Sequence, residues 1–211
     1  LHPFTDFKDL ASQGARVIER GEGIYVWDSE GHQLFDAMSG LWCVNVGYGR
    51  RELADAAHQQ MMKLPFYNSF FQTTNEPAVR LAARLASLAP KVGDRSFKHV
   101  FFSSSGSEGN DSNVRMVRRY WDLLGQPQRK VIISRVNSYH GSTIAGASLG
   151  GMSAMHAQGD LPIPNIEHIE QPYFFENGLP GETVDSFGVR AAGWLEEKIL
   201  ALGPERVAAF I

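Results

Sequence analysis

The sequence predicts an α/β fold, a largely parallel sheet flanked by helices, and three observations carry that prediction. Short apolar runs bounded by turn residues, Lys130-Val131-Ile132-Ile133 above all, read as strands. Longer stretches repeat their apolar residues at helical spacing, with Val114, Val117, Trp121 and Leu124 on one face of Ser107–Leu124. From about residue 99 the two kinds alternate, as strands and crossover helices of a parallel sheet do.

Taken in order, Gly23–Asp36 reads as a hairpin. Ile24-Tyr25-Val26-Trp27 supplies strand formers, Asp28-Ser29-Glu30-Gly31 the turn and Gln33-Leu34-Phe35 the return strand. A helical pattern covers Arg51 to Leu64. A second helix starts at Asn75, which is followed by Glu76 and Pro77, and shows Leu81, Leu85 and Leu88 on its apolar face. His99-Val100-Phe101-Phe102 is the next strand, then the Ser107–Leu124 helix and the strand at Lys130–Ile133. Leu161–Gly181 is an irregular excursion around a short strand near Ile166–Ile169. A helix around Trp194–Leu202 leads to the apolar run Val207–Ile211. One large α/β domain with a small N-terminal piece is the coarse organisation. A chain that starts without methionine and stops on a strand-like run reads as part of a longer protein.

Composition narrows the function. The 211 residues are 43% hydrophobic and 20% charged, ordinary values for a globular protein. A net charge of -3 argues against a dedicated nucleic-acid binder, and Arg115, Arg118 and Arg119 recur at the spacing of a solvated helix face. The single cysteine, Cys43, allows no internal disulfide and, in the apolar run Leu41-Trp42-Cys43-Val44, reads as a buried thiol. No signal peptide opens the chain and no apolar stretch approaches a membrane span, so a cytoplasmic location is expected.

The sharpest local signal is Phe101-Phe102-Ser103-Ser104-Ser105-Gly106-Ser107-Glu108-Gly109-Asn110. An apolar run enters a small-residue turn that opens directly into a helix. The first turn of a helix offers unpaired N–H groups and the positive end of the dipole, which suits an anion. Gly106 lets a phosphate approach the backbone, and Ser105 and Ser107 add hydroxyls. The alternative is a simple capping box from Ser105 to Glu108; the two readings are compatible and both stand. Neither the Walker ending Gly-Lys-Ser/Thr nor the G-x-G-x-x-G fingerprint is present. After the next strand, Asn137-Ser138-Tyr139-His140-Gly141-Ser142-Thr143 falls where ligands of α/β sheets usually sit, and Tyr139 offers a ring to stack on a flat heteroaromatic group.

Together these motifs resemble the class III, or omega-amino-acid, aminotransferases of the fold-type-I pyridoxal-phosphate family. The likeness rests on Gly23–Asp36, Gly40–Gly49, Ser105-Gly106-Ser107-Glu108 and Tyr139-His140-Gly141-Ser142-Thr143. Leu64-Pro65-Phe66-Tyr67-Asn68 and Gly159-Asp160-Leu161-Pro162-Ile163-Pro164 bring it nearer to the amine:pyruvate members. The resemblance implies a fold-type-I large domain, with residues 1–56 part of the small domain and 57–211 the first part of the large one. It implies pyridoxal 5'-phosphate as cofactor, with Gly106, Ser107 and the adjacent Ser105 at its phosphate, Tyr139 on its ring and His140 behind. Phe4, Trp42 and, from a neighbouring subunit, Phe70 would line the substrate pocket. The implied reaction is a two-stage aldimine/pyridoxamine transfer from an amine or omega-amino acid to pyruvate or a similar oxo-acid, in a homodimer. The Schiff-base lysine and the aspartate at the pyridine nitrogen are expected beyond Ile211. Lys8, Lys63, Lys91, Lys98, Lys130 and Lys198 lie in no such motif.

Two other classes compete. Gly146-Ala147-Ser148-Leu149-Gly150 matches G-x-S-x-G, with His156 and His168 following, which would make a serine hydrolase if a strand preceded Ser148. A non-catalytic relative that keeps the fold as a binding or structural protein is the other.

Overall fold

The computed structural model describes residues 5–211, which form two compact units, the first ending at Val100 and the second running from Phe101 to Ile211.

The first unit begins with helix α1 (Phe7–Gln13), capped by Asp6, whose Oδ1 accepts the N–H groups of Lys8 and Asp9. Three antiparallel strands follow, β1 (Ile18–Glu22), β2 (Tyr25–Asp28) and β3 (Gln33–Phe35), in the order β1-β2-β3. The β2–β3 hairpin is the expected one. Its turn is built on Asp28, a buried carboxylate that accepts N–H from Glu30 (3.1 Å) and His32 (2.9 Å) and faces His32 Nδ1 at 3.1 Å. Burial works against the charge, but the hydrogen bonds and the imidazole outweigh it and hold the carboxyl below its ordinary range. Strand β1 lies outside the sequence expectation, because Ile18-Glu19-Arg20-Gly21-Glu22 carries no apolar alternation. It forms through pairing to β2, with the Arg20 guanidinium 3.5 Å from the centre of the Trp27 ring.

Beyond the sheet come a one-turn segment α2 (Ser39–Trp42) and two longer helices, α3 (Arg51–Lys63) and α4 (Glu76–Leu88). Both long helices fall where apolar spacing placed them. Asn75 caps α4, accepting Ala78 N–H at 3.1 Å.

The second unit is the α/β part. Its elements are α5 (Gly106–Leu123), β4 (Val131–Arg135), α6 (Ile144–Leu149), α7 (Ser153–His156), β5 (Ile166–Ile169), α8 (Phe174–Asn177), α9 (Val184–Leu202) and β6 (Val207–Phe210). The sheet order is β5-β4-β6 and both pairings are parallel. Strand β4 is central and covered on both faces, so its residues from Val131 to Ser134 are all buried. Ile132 packs with Val114 of α5, Leu149 of α6 and Ile166, while Val131 and Ile133 pack with Ile169 and with Trp194, Leu195 and Ile199 of α9. That two-sided burial explains the unbroken apolar run in β4.

Two expectations need correction here. His99–Phe102 is not a strand: it has no neighbouring strand among the described residues, and Phe101 and Phe102 are exposed. Strand-forming residues make a strand only when a partner takes up their N–H and C=O groups. Cys43 is exposed, not buried, because the apolar run around it forms the outward turn α2 instead of a core element. No described helix is long and apolar enough to cross a membrane.

Candidate functional site

Ser105 stands at the N-cap of α5 with extended backbone, and its Oγ accepts Glu108 N–H at 3.1 Å. The Glu108 carboxylate folds back onto the N–H of Ser104 at 2.8 Å, one residue before the position a reciprocal box would use. The cap therefore exists, and it leaves the anion site open. Gly109 N–H closes on the Ser105 carbonyl, whereas the N–H groups of Gly106 and Ser107 have no protein partner among the described residues. A Cβ built on Gly106 would meet no protein atom within 4 Å. Two free donors at the positive end of an 18-residue helix, with open space before them, fit a phosphate dianion.

The loop after β4 is held against this helix start. Ser107 Oγ accepts Ser142 N–H at 3.1 Å and keeps its own proton to donate. Gly141 must be glycine here: its φ is +130°, and a Cβ would lie 2.6 Å from Ser107 Oγ. Asn110 Nδ2 donates to the His140 carbonyl (2.7 Å), and Asp111 Oδ1 accepts both the Thr143 hydroxyl (2.7 Å) and Gly146 N–H (3.1 Å). Asn110 and Asp111 are absent from the sequence-derived site. Their signal was available: Ser107, Asn110, Asp111 and Val114 fall at i, i+3, i+4 and i+7, a polar stripe that ends on a core residue.

Tyr139 rides on this loop with 55% of its surface exposed. His140 follows, half-buried, and burial together with the charge of His168 pushes its imidazole below the usual histidine range. The structure thus brings Ser105, Gly106, Ser107, Tyr139 and His140 into one constellation within the second unit.

Ser148 is no nucleophile. It is fully buried in α6, which follows a loop and not a strand, and its hydroxyl donates to the Ile144 carbonyl (2.6 Å) and accepts Ile163 N–H (3.1 Å). His156 and His168 both direct Nε2 at the Gly150 carbonyl, at 2.7 and 2.8 Å. The serine hydrolase reading fails on that geometry.

Of the aromatics expected at a substrate pocket, Trp42 and Phe70 belong to the first unit, and Phe4 lies outside the described residues. Trp42 (74% exposed) and Phe70 (84% exposed) are not core residues of that unit. Trp42 ends a turn of unusual hand: Ser39, Gly40, Leu41 and Trp42 have φ of 50°, 59°, 59° and 66°. Asp36 anchors it, accepting Tyr48 OH and Gly40 N–H, both at 2.7 Å, and these bonds, the tyrosine's first, lower its pKa against the pull of burial. Among the lysines, Lys63 faces Glu76 (3.3 Å), Lys130 faces Asp122 and Lys198 faces Glu167 (2.7 Å), while Lys8, Lys91 and Lys98 are exposed.

The profile of the aminotransferase class-III family matches residues 10–211. The chain belongs to the class-III aminotransferases. Over its whole length it is 59% identical to the putrescine–pyruvate aminotransferase of Pseudomonas aeruginosa and 46% identical to gamma-aminobutyrate transaminase 1, mitochondrial, of Oryza sativa subsp. indica. Among solved structures, the omega transaminase of Pseudomonas jessenii in complex with PMP superposes on all of the chain with a TM-score of 0.93 at 44% identity. These matches bear out the fold-type-I α/β architecture. The chain spans 45% and 40% of the two curated relatives and 46% of the solved one.

Proposed function

We propose that the full-length protein moves an amino group from an amine or omega-amino acid to pyruvate or a similar oxo-acid, with pyridoxal 5'-phosphate as cofactor. The observation that carries this reading is the open cup at Gly106 and Ser107, joined by side-chain hydrogen bonds to the loop bearing Tyr139. Bound there, the cofactor would supply an electron sink for the charge left when a substrate carbon loses its proton.

The chain's own residues do the binding and orienting. Gly106 and Ser107 give their N–H groups, and Ser107 its hydroxyl, to the phosphate, while Ser105 keeps the helix start in shape. Tyr139 covers one face of the ring. His140, with its lowered pKa, stays neutral at neutral pH and adds no competing cation. The exposed aromatics Trp42 and, on a neighbouring subunit, Phe70 would favour aryl or alkyl amines as substrates. The amine that forms the cofactor linkage and carries the proton is assigned to a part of the full-length protein outside these residues, since three of the lysines here are engaged by carboxylates and three point to solvent. A cytoplasmic homodimer completes the proposal.

The test is the visible absorption spectrum of the full-length protein with added pyridoxal phosphate, followed by an amine donor and then pyruvate. A cofactor band that bleaches with amine and returns with pyruvate is expected. A folded protein with no band would overturn the reading in favour of a non-catalytic relative. Binding has its own check: Gly106→Ala adds a Cβ that touches no protein atom, so melting should be unchanged while cofactor affinity falls.

A further inference from the structure

One turn of α5 grips the platform loop at four points. Ser107 takes Ser142 N–H, Asn110 holds the His140 carbonyl, and Asp111 takes both Thr143 Oγ1 and Gly146 N–H. The last pair is unusual. Thr143 is the N-cap of α6, yet its side chain does not cap its own helix; it donates instead to Asp111. Gly146 is the third residue of α6, whose N–H an N-cap side chain normally satisfies. Asp111 therefore caps α6 from a different helix, and places a carboxylate at that helix's positive end.

The first turn of α6 also has little room against the loop. A Cβ on Gly146 would lie 3.0 Å from Thr143 Oγ1 and 3.1 Å from both Gly141 Cα and the His140 carbonyl oxygen. If α6 shifts, the His140-Gly141 backbone must follow, and Tyr139 with it. The other side of the loop is tied as well, since Gly151 N–H donates to the Ser138 carbonyl (3.0 Å) and Asn137 N–H to that of Gly151 (3.0 Å).

We propose that Asn110 and Asp111 are positioning residues that hold the Tyr139 platform at a fixed spacing from the phosphate cup. This rests on the cofactor reading above and adds to it how ring and phosphate are kept in register. Neither residue touches the phosphate in this scheme: the cup's own donors are the N–H groups at the helix start, one turn earlier. Loss of Asp111 should thus impair recognition of the ring while leaving recognition of a bare anion intact.

The experiment uses the full-length protein with Asp111→Ala, Asp111→Asn and Asn110→Ala. Three quantities are read: affinity for pyridoxal phosphate, affinity for inorganic phosphate as a competitor of it, and visible circular dichroism of the bound cofactor. Asp111→Ala is expected to lower cofactor affinity about tenfold, on the scale of a charge-assisted hydrogen bond, and to change the dichroism. Phosphate affinity should stay as it is. Asp111→Asn keeps an acceptor oxygen for Thr143 and Gly146 and should restore both signals. Should Asp111→Ala fail to fold, Asn110→Ala, which leaves the α6 cap intact, decides by the same readouts with a smaller effect. Folded variants with unchanged affinity and dichroism overturn the proposal, as does an equal loss of phosphate and cofactor affinity. A wild-type protein that binds no pyridoxal phosphate is a different result, and it removes the cofactor reading itself.

Discussion

The two sheets of this chain solve the problem of burial differently. In the parallel sheet, β4 has cover on both faces, and its apolar run is buried side by side: Val131, Ile132 and Ile133 are at most 3% exposed. In the antiparallel sheet, β2 alternates, burying Val26 and Asp28 while Tyr25 is exposed and Trp27 half-exposed. A site that must hold two ligand-facing segments in register gains from the first arrangement, because every neighbour of β4 is braced by a core on one side or the other. The cup and the platform loop flank that strand. The first unit instead relies on polar anchors, Asp28 in the hairpin and Asp36 under α2, and presents its aromatics outward.

The largest expected effect tests that contrast. Ile133→Ala removes a side chain with no exposed surface and should cost about 2–5 kcal/mol in chemical denaturation of the full-length protein. Val26→Ala, in the one-sided sheet, should cost roughly 1–2 kcal/mol. Equal costs would break the comparison. A smaller effect, of opposite sign, is expected in the first unit: Leu41→Gly relieves a left-handed residue and should stabilise by up to about 1 kcal/mol, measured as a rise in melting temperature. The smallest sits on the surface of the second unit. Glu182 accepts a two-pronged hydrogen bond from Arg190, chiefly responsible for lowering its pKa from 4.5 to about 2. A carboxyl with a depressed folded-state pKa contributes stability above its ordinary pKa and loses it as pH falls. Glu182→Gln should therefore lower stability modestly at pH 7, converge on the wild type near pH 2, and so flatten the stability loss between pH 4.5 and 2.

The same contrast explains what the sequence disclosed. Helices α3, α4 and α5 follow from apolar spacing, and the hairpin from its turn residues, because those signals are local. Strand β4 was legible because cover on both faces demands an apolar run. Strand β1 was hidden, since its stability comes from pairing with β2 and from Arg20 over Trp27, which leave no mark on the residues of β1. His99–Phe102 misled for the converse reason: strong strand formers say nothing about whether a partner is present. At the site, Ser105, Gly106 and Ser107 were readable from the chemistry of a helix start. Asn110 and Asp111 stand on the polar stripe that continues from Ser107, but the partner of that stripe is a loop thirty residues away, which no local pattern names. Ser148 shows the opposite hazard, a motif that fits in spelling and fails once its hydroxyl is seen bonded to the backbone.

The turn that carries Trp42 has a stereochemical consequence. With φ between 50° and 66° at four successive residues, it is a short piece of mirror-image helix written with L-amino acids. The order of residue preference is inverted there. Alanine, the mildest substitution along α3 or α5, brings no advantage at position 39 or 41. A D-amino acid, which would break any other helix in the molecule, is the residue whose side chain that backbone accommodates without strain. At position 40 an L side chain is excluded on a second ground, because its Cβ would strike Val44 at 2.8 Å. Chirality, more than size or polarity, is what this corner of the chain selects.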